Sequence, residues 1–204
     1  MFTARTLLEG KWAILILAAL SVAGLIWCWI AAAVSLILLV FTISFFRDPT
    51  AKVPADEKLI VAPATGKIVE IGPVGETTRV AIFLSVFDVH VQRAPIAGTI
   101  KRVQYQAGKF LDVRDPNSSS QNEYRLIEME TADGYRVSVR QIAGLIARRI
   151  VGWADEGTQL AKGERFGMIR FGSRVELYLP PGADVVAEVG EYAKGGETIL
   201  ARRN

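Results

Sequence analysis

From Trp12 to Phe46 the chain carries no charged side chain. As one continuous helix those 35 residues would run about 50 Å, against roughly 30 Å of bilayer hydrocarbon. The stretch therefore predicts a helical hairpin of two short transmembrane spans, turning near Gly24 to Trp29. Trp27 and Trp29 would then sit at an interface, where indoles are favoured. A single long tilted helix is the other arrangement the length permits. Arg5 and Lys11 precede the run, and Arg47 and Lys52 follow it. Basic residues at both ends put both ends on the cytoplasmic side. The run is too long for the apolar region of a cleaved signal peptide. Residues 1–46 are thus expected to be a membrane anchor, and 47–58, with Pro49 and Pro54, an extended linker.

Residues 59–204 read as a mainly β body of short strands and hairpins. Strand-like runs at Leu59 to Ala62, Lys67 to Ile71 and Arg79 to Leu84 alternate with glycine and proline punctuation. Two echoes stand out. Ala62-Pro63-Ala64-Thr65-Gly66-Lys67-Ile68 parallels Ala94-Pro95-Ile96-Ala97-Gly98-Thr99-Ile100. Glu156-Gly157 through Gly163-Glu164 parallels Val189-Gly190 through Gly196-Glu197. Repeated hairpin units of this kind point to a barrel-sandwich-like architecture, as in biotinyl and lipoyl domains. Residues 107–125 are polar and turn-rich and read as a long mobile loop. Asp133-Gly134 marks a hairpin between 126–131 and 135–142. The pattern from Ile142 to Trp153 leaves strand and short helix open.

The lone cysteine, Cys28, lies in the apolar run, so no intrachain disulfide forms. With one histidine, His90, no multi-histidine metal site is expected either. The net charge of +3 suits an anionic membrane surface at least as well as a nucleic acid, and no nucleic-acid partner is expected.

Two features carry chemistry. Gly172-Ser173 lies between strand-like Phe166 to Phe171 and Val175 to Leu179. As a plain turn dipeptide it means little. In a strained setting, the serine hydroxyl can attack the preceding carbonyl, turning the amide into an ester. Elimination and hydrolysis then leave an amino-terminal pyruvoyl group. The second feature is Asp88 with His90. In a strand the two would share one face, and a carboxylate beside an imidazole supports general acid or base work. The alternative is a structural histidine at a strand end.

Four stretches together resemble the short, membrane-anchored phosphatidylserine decarboxylases. They are Phe45-Phe46-Arg47-Asp48-Pro49, Phe83 through Pro95, Gln141-Ile142-Ala143-Gly144 through Ile150, and Gly163 through Val175. The resemblance implies self-cleavage between Gly172 and Ser173, giving a large and a small subunit in one fold. It implies a covalent pyruvoyl cofactor derived from Ser173 that forms a Schiff base with the serine head group. It also implies His90 as the proton donor to the decarboxylated carbon, with Asp88 orienting it or assisting. The partner would be phosphatidylserine in the cell (inner) membrane, with the catalytic domain on the cytoplasmic face. A homodimer through the β body or the hairpin is compatible with this.

One position departs from the family pattern. Thr65 stands where an aspartate implicated in self-cleavage is usual, and threonine neither carries charge nor acts as a base at pH 7. Either Asp88 with His90 suffices, or maturation is slow, or the chain is an unprocessed relative acting as a membrane-anchored scaffold. A biotinyl- or lipoyl-type carrier would need a lysine at a tight hairpin tip, and no such turn is present. Arg93, Lys109, Arg148 and Arg149 are head-group phosphate candidates by charge alone.

Overall fold

The computed structural model describes residues 2–203 except 114, 116, 146–148, 171 and 172. The chain divides into two compact units, Met1–Thr50 and Ala51–Asn204.

The first unit is two helices, α1 (Ala4–Trp27) and α2 (Trp29–Phe45), broken at an extended Cys28. Thr3 caps α1, its side chain accepting from the Thr6 N–H. The helices fold back on each other about Cys28. Ser21 Oγ donates to Ser35 Oγ at 3.1 Å, and a Cβ on Gly24 would meet the Ala32 nitrogen at 2.6 Å. A Cβ on Gly10 would strike the Phe46 ring. These three pairs are symmetric about Cys28, which defines an antiparallel hairpin. By length and composition α1 can cross a membrane, while α2, at 17 residues, is a shorter apolar helix. Trp12, Leu25, Trp27, Trp29 and Ile37 are exposed on this unit.

The second unit is mainly β. In chain order its strands begin with β1 (Leu59–Val61), β2 (Gly66–Val74), β3 (Thr77–Leu84), β4 (Val91–Arg93) and β5 (Gly98–Gln106). A short helix α3 (Ser118–Gln121) precedes β6 (Tyr124–Glu130), β7 (Arg136–Ile142), β8 (Arg149–Gly152) and β9 (Gln159–Leu160). The chain closes with β10 (Arg165–Arg170), β11 (Ser173–Leu179), β12 (Asp184–Val185), β13 (Tyr192–Ala193) and β14 (Ile199–Arg202). Eight strands form one sheet in the order β13-β2-β3-β11-β7-β6-β5-β9, and two three-stranded sheets, β1-β14-β12 and β4-β10-β8, accompany it.

The sequence echoes become a pseudo-two-fold. The Pro63 and Pro95 segments lie side by side, Val61 N–H donating to the Pro95 carbonyl at 3.0 Å and Arg93 N–H to that of Pro63 at 2.9 Å. Gly196 N–H donates to Ala62, and Gly163 N–H to Ala94, both at 2.8 Å. Gly190 donates to Ile68 and Gly157 to Ile100, again at 2.8 Å. These four glycines have φ between 77° and 101°, a region that side chains with a Cβ resist, which is why the spacing is kept by glycine. In each half another glycine slips beneath a neighbouring carbonyl: a Cβ on Gly66 would lie 2.1 Å from the Phe83 oxygen, and one on Gly98 2.5 Å from that of Glu130. The sheet order reflects this, with β13-β2-β3-β11 matched by β9-β5-β6-β7.

The central strand β11 alternates cleanly. Val175, Leu177 and Leu179 enter the core with Ile82, Ile127 and Val139. Burial of each contributes about 1.5–3 kcal/mol. Arg174, Glu176 and Tyr178 share the opposite face. The stretch 107–125, read from sequence as a mobile loop, is stapled instead at its described residues. The Asn122 side chain accepts from the Leu111 N–H and donates to the carbonyls of Leu111 and Ala143, each at 2.9 Å. Ser119 Oγ donates to the Glu176 carboxylate at 2.9 Å. The ambiguous 142–153 stretch supplies β8, paired with β10.

Candidate active site

Ser173 is the first residue of β11, opposite Leu84 of β3, and is fully buried. Its Oγ has no hydrogen-bond partner among the described residues. A buried, unsatisfied hydroxyl costs about 1–3 kcal/mol, so it calls for a functional explanation. Gly172, the other half of the expected cleavage junction, lies outside the described residues, as does Arg148.

The segment after β3 departs from the strand expected there. Residues 85–90 form a turn, held by Asp88 N–H donating to the Ser85 carbonyl at 3.0 Å and Ser85 N–H donating to Asp88 Oδ2 at 2.7 Å. The second carboxylate oxygen of Asp88 accepts from the Tyr192 hydroxyl. Asp88 meets His90 through its main chain: His90 Nδ1 lies 2.9 Å from the Asp88 carbonyl oxygen. A carbonyl only accepts, so Nδ1 carries the hydrogen and the neutral ring keeps its lone pair on Nε2. The backbone at these residues is thus a turn rather than the strand assumed for a shared face, and its main chain fixes the ring's tautomer.

His90 is itself fully buried, and its carbonyl accepts from Ile169 N–H at 3.3 Å, next to the end of β10. The same carbonyl accepts from Gln92 Nε2 at 2.8 Å. Gln92 Oε1 accepts from Gln141 Nε2 at 2.9 Å, and Gln141 Oε1 accepts from Arg125 at 3.4 Å. Arg125 also donates to the Ala154 carbonyl and lies 3.7 Å from Asp155. A guanidinium only donates, so Arg125 dictates the orientation of both amides and, through them, the donor that meets His90. Burial pulls the Arg125 guanidinium below its usual value, and Asp155 offsets only part of that.

On the other face of β11, Arg174 donates to Glu176 at 2.8 Å and to Glu70 at 2.7 Å. Arg79 pairs with Glu70, and the Tyr178 hydroxyl donates to Glu176 at 2.6 Å. Burial pushes the Glu70 carboxyl up, but the bonds from Arg174 and Arg79 outweigh it and hold the group below the usual range. Burial, then Glu176, push the Tyr178 phenol up. This network anchors the residue directly after Ser173 on both β2 and β11.

Thr65 precedes Gly66 at the same end of the sheet, and its hydroxyl accepts from Gly195 N–H at 2.9 Å. Arg93 is buried and donates to the Gly163 carbonyl at 3.0 Å. Lys109 Nζ donates to Gln121 at 2.9 Å, and Arg149 is exposed opposite Arg170. A cleft of about 920 Å³ lined by Lys101, Glu130, Lys162 and Arg203 is the pseudo-two-fold counterpart of the Ser173 end and contains none of Ser173, His90 or Asp88.

Comparison with known proteins decides the family. The phosphatidylserine decarboxylase family model matches residues 38–201. The chain belongs to the phosphatidylserine decarboxylase family. The phosphatidylserine decarboxylase proenzyme of Trichlorobacter lovleyi is 49% identical over 178 residues, covering 85% of this chain and 81% of the relative. That of Nitratidesulfovibrio vulgaris is 47% identical over 187 residues, covering 89% and 86%. That of Geobacter sulfurreducens is 46% identical over 178 residues, covering 84% and 82%. The chain is an enzyme of this type, and the scaffold reading raised by Thr65 is not favoured. No local sequence pattern joins Tyr192 to Asp88, Gln141 to Gln92 or Arg125 to Gln141, because these partners lie 104, 49 and 16 positions apart.

Proposed function

We propose that this decarboxylase converts phosphatidylserine to phosphatidylethanolamine with a pyruvoyl group made from its own Ser173. The observation that carries the reading is the buried Ser173 Oγ at the start of β11, which has no hydrogen-bond partner among the described residues, in a chain of this proenzyme family. The residues fit such a group: Ser173 is flanked by β3 and β7, so its carbonyl side stays in the sheet after the chain is cut.

In maturation, Ser173 Oγ attacks the Gly172 carbonyl carbon and the 172–173 C–N bond breaks. The hydroxyl proton passes to a base and the freed nitrogen is protonated, leaving an ester. Loss of the Ser173 Cα proton expels the Gly172 carboxylate, and hydrolysis of the resulting enamine releases ammonia. Nε2 of His90 is the base we assign, because Nδ1 is held as a donor by the Asp88 carbonyl. Asp88, braced by Ser85 and Tyr192, holds the turn that carries His90. The pyruvoyl carbonyl supplies the electron sink for the pair released as carbon dioxide leaves. His90 then returns a proton to the substrate carbon. Residues 1–172 and 173–204 remain one fold, since β11, β13 and β14 of the smaller piece pair with β3 and β7, β2, and β1 of the larger.

Residues 1–46 act as a membrane anchor and 59–204 as the catalytic domain, joined by 47–58. The hairpin has both ends on the cytoplasmic face of the inner membrane, where the lipid substrate resides. Release of labelled carbon dioxide from carboxyl-labelled phosphatidylserine tests the reading. The wild-type chain turns over and loses activity on treatment with cyanoborohydride plus substrate; Ser173→Ala does neither. Normal turnover by Ser173→Ala would refute it.

A further inference from the structure

Ser173 lies in the middle of the eight-stranded sheet, between β3 and β7, and both neighbouring strands run out at its end. β3 continues into the 85–90 turn, which presents Phe87 with 71% of its surface exposed. β7 continues through Ala143 and Gly144 to Leu145, which is 60% exposed. One large apolar side chain thus leaves each strand flanking Ser173, from the same sheet end, and buried Asp88 and His90 lie in the turn that carries Phe87. Lys67, Lys194 and Arg149 are exposed around this end. Lys67 lies across Phe83 from Arg174, Lys194 follows the Ala193–Gly66 pair, and Arg149 opposes Arg170. Glu191 is the exposed acid nearest by sequence, and it caps its own turn by accepting from Glu188 N–H at 3.0 Å.

Two apolar tips set among cations match an anionic bilayer surface: the side chains enter the acyl boundary and the cations meet lipid phosphates. We propose that the catalytic unit itself docks on the bilayer through Phe87 and Leu145, by a contact independent of the helical hairpin, and that this docking delivers the lipid head group to Ser173. The inference rests on the phospholipid reading above and concerns the second unit alone. It answers a steric need: Ser173 is buried, whereas the substrate's acyl chains favour the bilayer.

The test uses the full chain in phosphatidylcholine–phosphatidylserine vesicles. Phe87→Cys, Leu145→Cys and the control Glu76→Cys, each in a Cys28→Ser background, are labelled with an environment-sensitive fluorophore. Glu76 is exposed in the β2–β3 turn at the opposite end of the sheet. The labels at 87 and 145 are quenched by lipid carrying a shallow spin label, and the label at 76 is not. In parallel, the Phe87→Ser/Leu145→Ser variant is assayed on vesicles and on a short-chain phosphatidylserine dissolved as monomers. The ratio of the two kcat/KM values falls roughly tenfold relative to wild type. Unquenched labels at 87 and 145, or an unchanged ratio, would overturn the proposal. Wild-type turnover of the monomeric lipid is read in the same experiment. Its absence strikes the proposed function, whereas its presence with unquenched labels strikes docking alone.

Discussion

Replacing Gln141 by leucine removes the middle link of the buried chain from Arg125 to the His90 carbonyl. Gln141 makes two bonds there, at 2.9 Å to Gln92 and 3.4 Å from Arg125. Gln92 is fully buried and Arg125 is 6% exposed, so water does not readily replace either partner. A stranded neutral acceptor costs about 1–3 kcal/mol, and Arg125, which keeps Ala154 and Asp155, adds a cost at the low end of that range. The expected total is about 2–4 kcal/mol, or roughly 5–12 °C in Tm for a domain of this size. Calorimetry of the purified chain in detergent reads the stability, and gel densitometry of newly made chain reads maturation. Gln141→Glu separates the two effects. It keeps an acceptor for Arg125 but sets a carboxylate oxygen against Gln92 Oε1, reversing the polarity passed to His90. The glutamate variant should melt closer to wild type than the leucine variant and still mature more slowly. A leucine variant melting within about 1 °C of wild type would refute the reasoning.

Tyr192→Phe removes one donor to the Asp88 carboxylate and leaves the Ser85 N–H in place. It should slow maturation by roughly tenfold, the worth of one charge-assisted bond, read as the ratio of intact to cut chain over time. Gly66→Ala places a Cβ 2.1 Å from the Phe83 carbonyl, so β2 and β3 must separate next to Ser173; the variant should accumulate as uncut, readily proteolysed chain. Glu70 has its folded-state carboxyl below the ordinary 4.5, so its contribution is complete above that value and fades as the pH falls through the lower, folded value. Glu70→Gln should therefore lower Tm at pH 7 and narrow its gap to wild type in acid, by a modest amount because Glu70 is 43% exposed.

The β body was legible where its cause is local. The paired Ala-Pro and Gly echoes became the pseudo-two-fold because each glycine meets a steric demand set by its own backbone or by one neighbouring carbonyl. The hairpin was legible because 35 uncharged residues exceed one span. The 85–90 segment misled because Phe83, Val86, Phe87, Val89 and Val91 look like a continuous apolar strand. What breaks it is the pair of bonds between Ser85 and Asp88, which a hydrophobic pattern does not encode. Segment 107–125 looked mobile because the order of its described residues comes from Asn122, whose partners include Ala143, 21 positions on. The Arg125–Gln141–Gln92 chain was likewise invisible, since each link joins residues on different strands or ends on backbone, and only the folded sheet brings them into line.

The central claim is that Ser173 becomes the reactive end of a cut chain, and an intact mass of the purified, denatured protein tests it most directly. Two fragments are expected, residues 1–172 and 173–204, the smaller blocked at its amino terminus and reactive toward a hydrazide. Ser173→Ala should give one mass near 22.3 kDa. A single full-length mass from catalytically active wild-type protein would contradict it.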